Sequence, residues 1–290
     1  MPNNTPNPRF TFIDLFAGIG GFHLALHRNN CTCVFASEWD KFARITYEHN
    51  FKKLSPLLFE HGNYQGDITH IQANNIPDFD ILCAGFPCQA FSIAGKQQGF
   101  KDSRGTMFFE IARIIKEKQP KAFFLENVKH FLKHNDGKTF ECIKNILTNE
   151  LGYSFHWKII KACEFGLPQL RPRLYMVGFK NPTIRFEFPK PVPLKQSMSD
   201  IWGGKCSRDI GYTILASGRG KQPEQQRNWS AYYVNGEVRQ LTSKQAKKMM
   251  GFPNSFSFPV SETQAMKQLG NSVAVNVVEA IAKNVLSALN

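Results

Sequence analysis

Short apolar runs alternate with amphipathic stretches over the first 180 residues, and this alternation limits the fold more than any other feature of the sequence. The runs FTFIDLF, FDILCAG and KAFFLENV are predicted to be buried strands. Between strands, MFFEIARIIKEKQ and KTFECIKNILTNEL place apolar residues at helical spacing. Strands that alternate with helices indicate an α/β domain with a mostly parallel sheet.

The composition and periodicity of the sequence change after Lys180. Residues 181–205 carry four prolines and two adjacent glycines, a composition typical of a connector. A helical pattern returns from Thr263, in a segment too short to be a domain. We therefore expect a first domain over residues 1–182, a smaller second domain over 183–261, and a C-terminal helical segment, 262–290, that packs back on the first domain.

The charge balance favours an anionic partner. The chain has 36 Lys plus Arg against 23 Asp plus Glu, a net charge of +13. The net charge is +6 over residues 1–180 and +7 over the much shorter remainder. Such a surplus attracts polyanions such as nucleic acid, although charge alone fits a plain basic protein equally well.

Other features of the composition bear on cellular location. The start, MPNNTPNPRF, is polar and lacks the apolar run of a secretory leader. The seven cysteines are an odd number, which suits reduced thiols in an intracellular protein. No stretch approaches the roughly 18 apolar residues of a spanning helix. We therefore expect a cytoplasmic protein with no membrane-spanning role.

A glycine-rich turn follows the first strand and indicates a nucleoside-binding site. FIDLF runs into AGIGG, where Gly18 and Gly20 let a ligand approach the backbone at the start of a helix. Glu38 ends the second strand, twenty residues after Gly18, where a carboxylate typically binds the two ribose hydroxyls. The alternative is a tight strand-to-helix turn that binds nothing.

The same turn discriminates between cofactors. The dinucleotide fingerprint requires a third glycine, and this chain has His23 at that position, which disfavours a pyrophosphate and hence a nicotinamide enzyme. S-adenosylmethionine fits better. Phe16 and Trp39 are candidates to sandwich the adenine, and Asp67 to accept a hydrogen bond from its amino group. As an alternative, both aromatic residues belong to an ordinary core.

Two further groups fall at strand ends. Cys88 follows the strand FDILCAG and a proline, and Glu126 ends the strand within KAFFLENV. Because ligands bind beyond the carboxyl ends of parallel strands, one crevice can hold a cofactor, a thiol and a carboxyl group. An isolated cysteine is more often a small buried hydrophobe, so the pairing stays a hypothesis at this point.

The order of the motifs resembles that of the cytosine-C5 DNA methyltransferases, and the matches span nearly the whole chain. The combination of FPCQ, ENV and Q-x-R-x-R is highly specific. The matching segments are DLFAGIGG (14–21), GDI (66–68), GFPCQAFS (85–92), DSRGTMFFE (102–110), ENV (126–128), GLPQLRPRLYMVGF (166–179), RQLTSKQAKKMMGFP (239–253) and QLGNSVAVNVV (268–278).

The resemblance implies a Rossmann-like, S-adenosylmethionine-dependent fold with a smaller target-recognition domain over 183–261. It also implies a mechanism in which the Cys88 thiolate adds to C6 of cytosine and so activates C5, while a protonated Glu126 binds N3 and the 4-amino group. Arg173 would contact the base carbonyl O2. The other residues that it implies at the catalytic site are Asn127, Gln169 and Arg171.

The resemblance implies the binding residues as well, for S-adenosylmethionine with S-adenosylhomocysteine as product and with no metal. The cofactor set is Phe16, Gly18, Ile19, Gly20, Gly21, Glu38, Trp39, Asp67, Ile68, Pro87, Asn271, Ser272 and Val273. The DNA set is Gln89, Ser92, Arg208, Thr213, Arg219, Lys221 and Arg227, with the plain alternative that these basic residues only solvate a small domain.

This chain departs from the family pattern at a few positions. Lys244 and Gln245 stand where an arginine and a glutamate are usual, Lys248 replaces a second arginine, and Asn276 replaces a proline. Lysine keeps the charge but lacks the planar fork of arginine, so these changes bear on how the domains pack and not on the chemistry.

We therefore expect a methyltransferase that modifies C5 of a flipped-out cytosine in a short duplex DNA sequence and protects host DNA in a restriction-modification system. A cognate endonuclease would act on the same site without a stable complex, and the enzyme would meet its DNA at the nucleoid. Three alternatives remain: a tRNA substrate, an inactive relative that only binds DNA, and a nicotinamide oxidoreductase. The oxidoreductase would explain neither FPCQ nor ENV.

Overall fold

The computed structural model describes residues 10–87, 107–217, 223–224 and 228–290. Within these ranges a seven-stranded sheet and a separate hairpin are accompanied by helices. The strands are β1 (Phe10–Leu15), β2 (Cys31–Ser37), β3 (Tyr64–Gln65), β4 (Ile81–Gly85), β5 (Ala122–Val128), β6 (His156–Lys161), β7 (Pro172–Phe179), β8 (Ala231–Val234) and β9 (Glu237–Gln240). The α-helices are α1 (Gly21–Arg28), α2 (Lys41–Phe51), α3 (Pro56–Glu60), α4 (Met107–Lys118), α5 (Lys138–Asn145), α6 (Met198–Trp202), α7 (Ser243–Met249), α8 (Glu262–Asn271) and α9 (Val275–Ala288).

The large sheet has the strand order β3-β2-β1-β4-β5-β7-β6. Strands β3, β2, β1, β4 and β5 pair in parallel, whereas β7 runs antiparallel to both β5 and β6. Parallel neighbours need a long crossover, whereas the loop between β6 and β7 is short enough for an antiparallel return. The predicted α/β class with a mostly parallel sheet is confirmed.

Both faces of the sheet are buried, which explains why its central strands are continuous apolar runs and do not alternate with polar residues. Ile13 and Leu82 belong to the core on one face, and Phe12 and Cys83 to the core on the other. All four are fully buried. Burial of each large apolar side chain contributes about 1.5–3 kcal/mol relative to exposure.

The last helix packs on the first. Helix α9 lies against α1, and Arg28 Nη1 is 3.1 Å from Glu279 Oε2. The Asn29 side chain also donates to the Glu279 carbonyl. The 183–261 stretch contains α6, α7 and the β8–β9 hairpin. The domain boundaries at 182 and 261 stay a prediction.

One predicted helix changes geometry along its length. KTFECIKNILTNEL begins as α5 and continues as a π-helix over Ile146–Glu150. There the Leu151 N–H donates to the Ile146 carbonyl, five residues back, and the Thr148 hydroxyl bonds the Lys144 carbonyl. The wider turn keeps both Ile146 and Leu147 buried. The helical periodicity identified the element but not this local change.

Candidate active site

A cavity of about 720 Å³ opens beyond the carboxyl ends of the parallel strands, the edge at which such sheets bind ligands. Its volume is in the usual range for a small-molecule site. The predicted cofactor and catalytic residues that line it are Phe16, Gly18, Ile19, Glu38, Trp39, Asp67, Ile68, Pro87, Glu126, Asn127, Arg171, Arg173 and Asn271. Those that the structure describes away from its wall are Gly20, Gly21, Gln169, Ser272 and Val273.

Glu38 is fixed by the backbone on both sides of its carboxylate. Its Oε2 accepts from the Gly18 N–H at 2.8 Å, and its Oε1 accepts from the Asp40 N–H at 2.7 Å. Burial raises the pKa of Glu38, and these two hydrogen bonds oppose that rise. Since each carboxylate oxygen accepts more than one hydrogen bond, the group retains capacity for two ribose hydroxyls.

The glycines of the turn are required by geometry. Gly18 and Gly20 have φ values of +55° and +81°, a region that residues with a side chain rarely adopt. At Gly20 a Cβ atom would also lie 2.2 Å from the ring of Phe51. Gly20 therefore lets the turn pack against Phe51 on the side away from the cavity, while Gly18 forms part of the cavity wall.

His23 fills the position at which a dinucleotide site has its third glycine. It is completely buried, and its ring stacks on Phe51 at 4.1 Å. Its ring nitrogens hydrogen-bond to the Tyr47 and Ser55 hydroxyls at 2.5 and 2.9 Å. Burial lowers the pKa of His23 to about 3, so the ring is neutral at physiological pH.

The candidate adenine contacts lie together at the mouth of the cavity. Trp39 is 71% exposed, although large aromatic residues are usually buried, and Phe16 is half-buried. Asp67 Oδ1 accepts from both the backbone and the hydroxyl of Thr69. The backbone hydrogen bond from Thr69 lowers the pKa of Asp67, which keeps a carboxylate at the rim.

The C-terminal cofactor residues approach the turn from the far side. A Cβ atom on Gly21 would lie 2.6 Å from Val273 Cγ2 and 3.0 Å from Ser272 Oγ. Ser272 and Val273 therefore pack directly behind the glycine-rich turn, while Asn271 reaches the cavity itself. This arrangement brings together segments about 250 residues apart in sequence.

A carboxyl–guanidinium pair forms the inner wall of the cavity. Glu126 at the end of β5 and Arg173 on β7 are brought together by the antiparallel pairing of these strands. Glu126 Oε1 lies 3.2 Å from Arg173 Nε, and 11% of each side chain is exposed. Burial raises the pKa of Glu126, opposed by the charges of Arg173 and Arg171.

Asn127 ties the end of β5 to the segment that leads to Cys88. Its Nδ2 donates to the Phe86 carbonyl at 3.0 Å, and its Oδ1 accepts from the Val128 N–H. Pro87, the next residue, is exposed and lines the cavity. Asn127 therefore anchors the backbone immediately before the predicted nucleophile.

Arg171 is buried and held by carbonyl groups. Its guanidinium donates to the carbonyls of Ile214 at 3.0 Å, Gly270 at 2.8 Å and Ser272. Burial lowers its pKa to about 9, which leaves it cationic at neutral pH. One edge of Arg171 reaches the cavity wall.

Gln169 lies away from the cavity and joins other segments. Its Nε2 donates to the Met249 carbonyl at 3.1 Å, and its Oε1 accepts from the Ile214 N–H at 3.0 Å. With its amide occupied in this way, Gln169 supports the site from behind and does not line it.

Six predicted site residues lie outside the described residues. They are the nucleophile Cys88, its neighbours Gln89 and Ser92, and the basic candidates Arg219, Lys221 and Arg227. Two other DNA candidates are described. Thr213 Oγ1 accepts from the Arg171 N–H at 3.1 Å, and Arg208 stacks over the Tyr212 ring with its guanidinium carbon 4.4 Å from the ring centroid.

Sequence reasoning missed one wall of the cavity. Gln264, Lys267 and Gln268 lie on one face of α8 and line it. Lys267 Nζ is 3.5 Å from Asp40 Oδ2, and Thr46 donates to Gln268 at 2.9 Å. The i, i+3, i+4 spacing predicts a shared face, but it does not say what that face meets.

Within the described ranges, no group of His, Cys, Asp and Glu is arranged to hold a metal ion. No helix in the same ranges is long and apolar enough to cross a membrane.

Comparison with known proteins places this geometry in a family. The model for C-5 cytosine-specific DNA methylase matches residues 10–216 and 201–287. Type II methyltransferase M.HhaI of Haemophilus parahaemolyticus is 42% identical over 96% of this chain and 95% of its own length. Type II methyltransferase M.SsoII of Shigella sonnei is 43% identical over 100% of this chain and 83% of its own length.

Solved structures agree on the fold. The S. pombe Dnmt2 methyltransferase has a TM-score of 0.76 at 20% identity, covering 97% of this chain and 100% of its own. A putative DNA modification methyltransferase from an E. coli prophage has a TM-score of 0.69 at 21% identity, covering 97% and 99%. The matched family implies S-adenosylmethionine as the methyl donor. The chain belongs to the C-5 cytosine-specific DNA methylases, as a cytosine-C5 methyltransferase of the type II restriction-modification class.

Proposed function

We propose that the protein flips a cytosine out of a short specific duplex sequence and methylates its C5 through a covalent bond between Cys88 and C6. The observation that carries the proposal is the buried Glu126–Arg173 pair on the wall of the cavity. A carboxyl group with a raised pKa and a guanidinium side by side suit the N3 and O2 edge of a cytosine.

The cavity residues fit the methyl donor. Glu38 retains acceptor capacity for the ribose hydroxyls, and Trp39 and Phe16 offer aromatic faces at the mouth for the adenine. Asp67 supplies a rim carboxylate for the adenine amino group, and Asn271 closes the far side. When bound, the donor supplies an electrophilic methyl group on a sulfonium.

In the proposed reaction the Cys88 thiolate forms a bond to C6, and the C5–C6 π electrons move so that C5 becomes nucleophilic. Glu126 donates its proton to N3 as negative charge develops there, and Arg173 binds O2. The bond between the methyl group and the donor sulfur breaks as the methyl group passes to C5, and S-adenosylhomocysteine is the leaving group. Water or hydroxide then removes the C5 proton, the C5–C6 double bond re-forms, N3 returns its proton to Glu126, and the thiolate leaves C6.

Neighbouring residues hold the proposed catalytic groups in position. Asn127 bonds the Phe86 carbonyl and so restrains the backbone two residues before Cys88 in the sequence. Arg171 supports the guanidinium side of the site by its charge and its contacts, and Gln169 supports it from behind. The target base is otherwise stacked inside the duplex, so it has to rotate out to reach this cavity.

We further propose the setting that the family suggests. The enzyme would protect host DNA in the cytoplasm, at the nucleoid, against an endonuclease that cuts the same site without a stable complex. Gln89 and Ser92 would contact the flipped nucleotide. Arg208, Thr213, Arg219, Lys221 and Arg227 would contact the duplex, and the chain's net charge of +13 favours that encounter.

The test has three parts. Labelled S-adenosylmethionine is incubated with duplex DNA and with tRNA; we expect label in DNA only, and label in tRNA only would overturn the substrate. Bisulfite sequencing of DNA from expressing cells then gives the sequence context. Duplex DNA with 5-fluorocytosine in that context should trap the wild type covalently and leave Cys88→Ser free. Trapping of Cys88→Ser would sink the covalent route.

A further inference from the structure

The last two residues of α8 and the two residues that follow it (residues 270–273, together called the α8–α9 turn) lie between two other backbone segments. On one side, a Cβ atom on Gly270 would lie 2.4 Å from both Ala216 N and the Leu215 carbonyl carbon. These are backbone atoms, so no rotamer change can make room. On the other side the same turn packs on Gly21 of the glycine-rich turn. Three segments are therefore in direct contact, with glycine at both junctions.

A single buried cation joins the same segments. Arg171 Nη1 donates to the Ile214 carbonyl, and Nη2 donates to the carbonyls of Gly270 and Ser272. The Arg171 N–H also bonds Thr213 Oγ1 at 3.1 Å. Charge-assisted bonds in a buried site are strong, so residues 213–216 (the recognition segment) and the α8–α9 turn are both fastened to the residue that precedes β7.

Only one of the two fastened segments touches the cavity. Gly270 and Asn271 line it, whereas residues 213–216 do not. A ligand in the cavity therefore contacts the α8–α9 turn and the edge of Arg171 directly, and it reaches the recognition segment through these two groups. Closely packed backbone transmits such a displacement because it cannot be compressed.

We propose that Gly270 is a positioning residue that couples occupancy of the cofactor cavity to the placement of the recognition segment. The inference rests on the proposed function, in which the cavity takes the methyl donor and Thr213 contacts the duplex. Without a Cβ, the turn and the segment move as one. A Cβ atom at residue 270 would push the α8–α9 turn and the recognition segment apart. The carbonyls of Ile214 and Gly270 could then no longer both accept hydrogen bonds from the Arg171 guanidinium.

Amide hydrogen exchange tests this without DNA, with S-adenosylhomocysteine as the probe. In the wild type we expect the probe to slow exchange in peptides from residues 16–21, which border the cavity, and also in peptides from residues 211–217. In Gly270→Ala we expect the slowing at 16–21 to persist and the slowing at 211–217 to be lost.

The matched control is Gly211→Ala. The three nearest neighbours of its Cβ would be side-chain atoms, of Met249, Met198 and Tyr232, and not the backbone of the α8–α9 turn, so both slowings should persist. If Gly270→Ala melts below the assay temperature, Arg171→Lys replaces it, because lysine keeps the charge but lacks the planar fork whose two nitrogens bond Ile214 and Gly270.

The outcomes separate the two proposals. No slowing at 16–21 and no heat of binding in the wild type would count against the proposed cofactor site. Two results would overturn the coupling while leaving the proposed cofactor site intact. One is that S-adenosylhomocysteine binds the wild type without slowing exchange at 211–217. The other is equal slowing at 211–217 in the wild type and in Gly270→Ala.

Discussion

Glu126 Oε1 lies 3.2 Å from Arg173 Nε, because β5 and β7 run antiparallel and place the two residues at the same end of the sheet. Burial raises the pKa of the carboxyl group even beside this cation. The pair therefore places a carboxyl group of raised pKa beside a fixed positive charge in a largely buried position, a combination suited to the proposed role of stabilising a pyrimidine ring on which negative charge develops.

Replacement of Glu126 by glutamine should abolish most of the activity. Glutamine keeps the shape and an amide donor but cannot transfer a proton, so we expect kcat to fall roughly 10²–10⁴-fold, the usual contribution of a general acid. Methyl transfer to duplex DNA measures kcat, and calorimetry with S-adenosylhomocysteine should show unchanged affinity. Glu141→Gln, at an exposed position on α5, is the control. A near-normal kcat in Glu126→Gln would contradict the role.

Removal of the Asn127 side chain should loosen the backbone before Cys88. Asn127→Ala leaves the Phe86 carbonyl and the Val128 N–H without these partners, at a cost of about 1–3 kcal/mol in free energy of unfolding. Urea unfolding measures that loss. The rate of 5-fluorocytosine trapping should fall while affinity for S-adenosylhomocysteine stays the same. Asn149→Ala, on an exposed helix face, should change neither, and an unchanged trapping rate in Asn127→Ala would refute the anchoring role.

A methyl group at Gly20 should damage the cofactor site from behind. Gly20→Ala combines a left-handed backbone, which costs about 1–2 kcal/mol, with a Cβ atom 2.2 Å from the Phe51 ring. Gly62→Ala has a similar φ, +69°, but nothing within 4 Å, so it isolates the backbone cost. We expect Gly20→Ala to lose more unfolding free energy than Gly62→Ala, and to bind S-adenosylhomocysteine more weakly. Equal losses in the two variants would show that the Phe51 contact is unimportant.

Burial of neutral His23 should make the fold sensitive to acid. The pKa of His23 is about 3 in the folded protein, whereas its ordinary value is 6.5. Between these pH values the histidine is protonated in the unfolded chain and neutral in the folded protein. The stability associated with neutral His23 is present above pH 6.5 and is lost as pH falls from 6.5 towards 3. The slope from one proton is up to about 1.4 kcal/mol per pH unit.

Urea unfolding at several pH values measures that slope. In His23→Gln the unfolding free energy should depend less steeply on pH, by the contribution of one proton. His61→Gln, at an exposed position, should leave the slope unchanged. Parallel slopes in wild type and His23→Gln would mean that His23 is not buried as a neutral ring.

The sequence was sufficient to predict the main strands and helices of the first 180 residues and several walls of the cavity. Apolar runs and helical periodicity identified the α/β class, and the strand-end positions of Glu38 and Glu126 predicted that both would face one crevice. The Q-x-R-x-R motif predicted two arginines at the site, but it did not indicate that their side chains have different partners. Arg173 pairs with Glu126, while Arg171 is occupied by three carbonyl groups.

The amino-acid sequence alone determined the kind of chemistry, because a thiol, a carboxyl group and a glycine-rich turn carry their reactivity and conformational preferences wherever they lie. The tertiary structure decided which groups meet. The raised pKa of Glu126, the contact of Gly270 with Leu215 and Ala216, and the α8 wall of the cavity depend on burial and on contacts between distant segments. Local periodicity cannot encode those contacts, since it specifies the face of an element but not its partner.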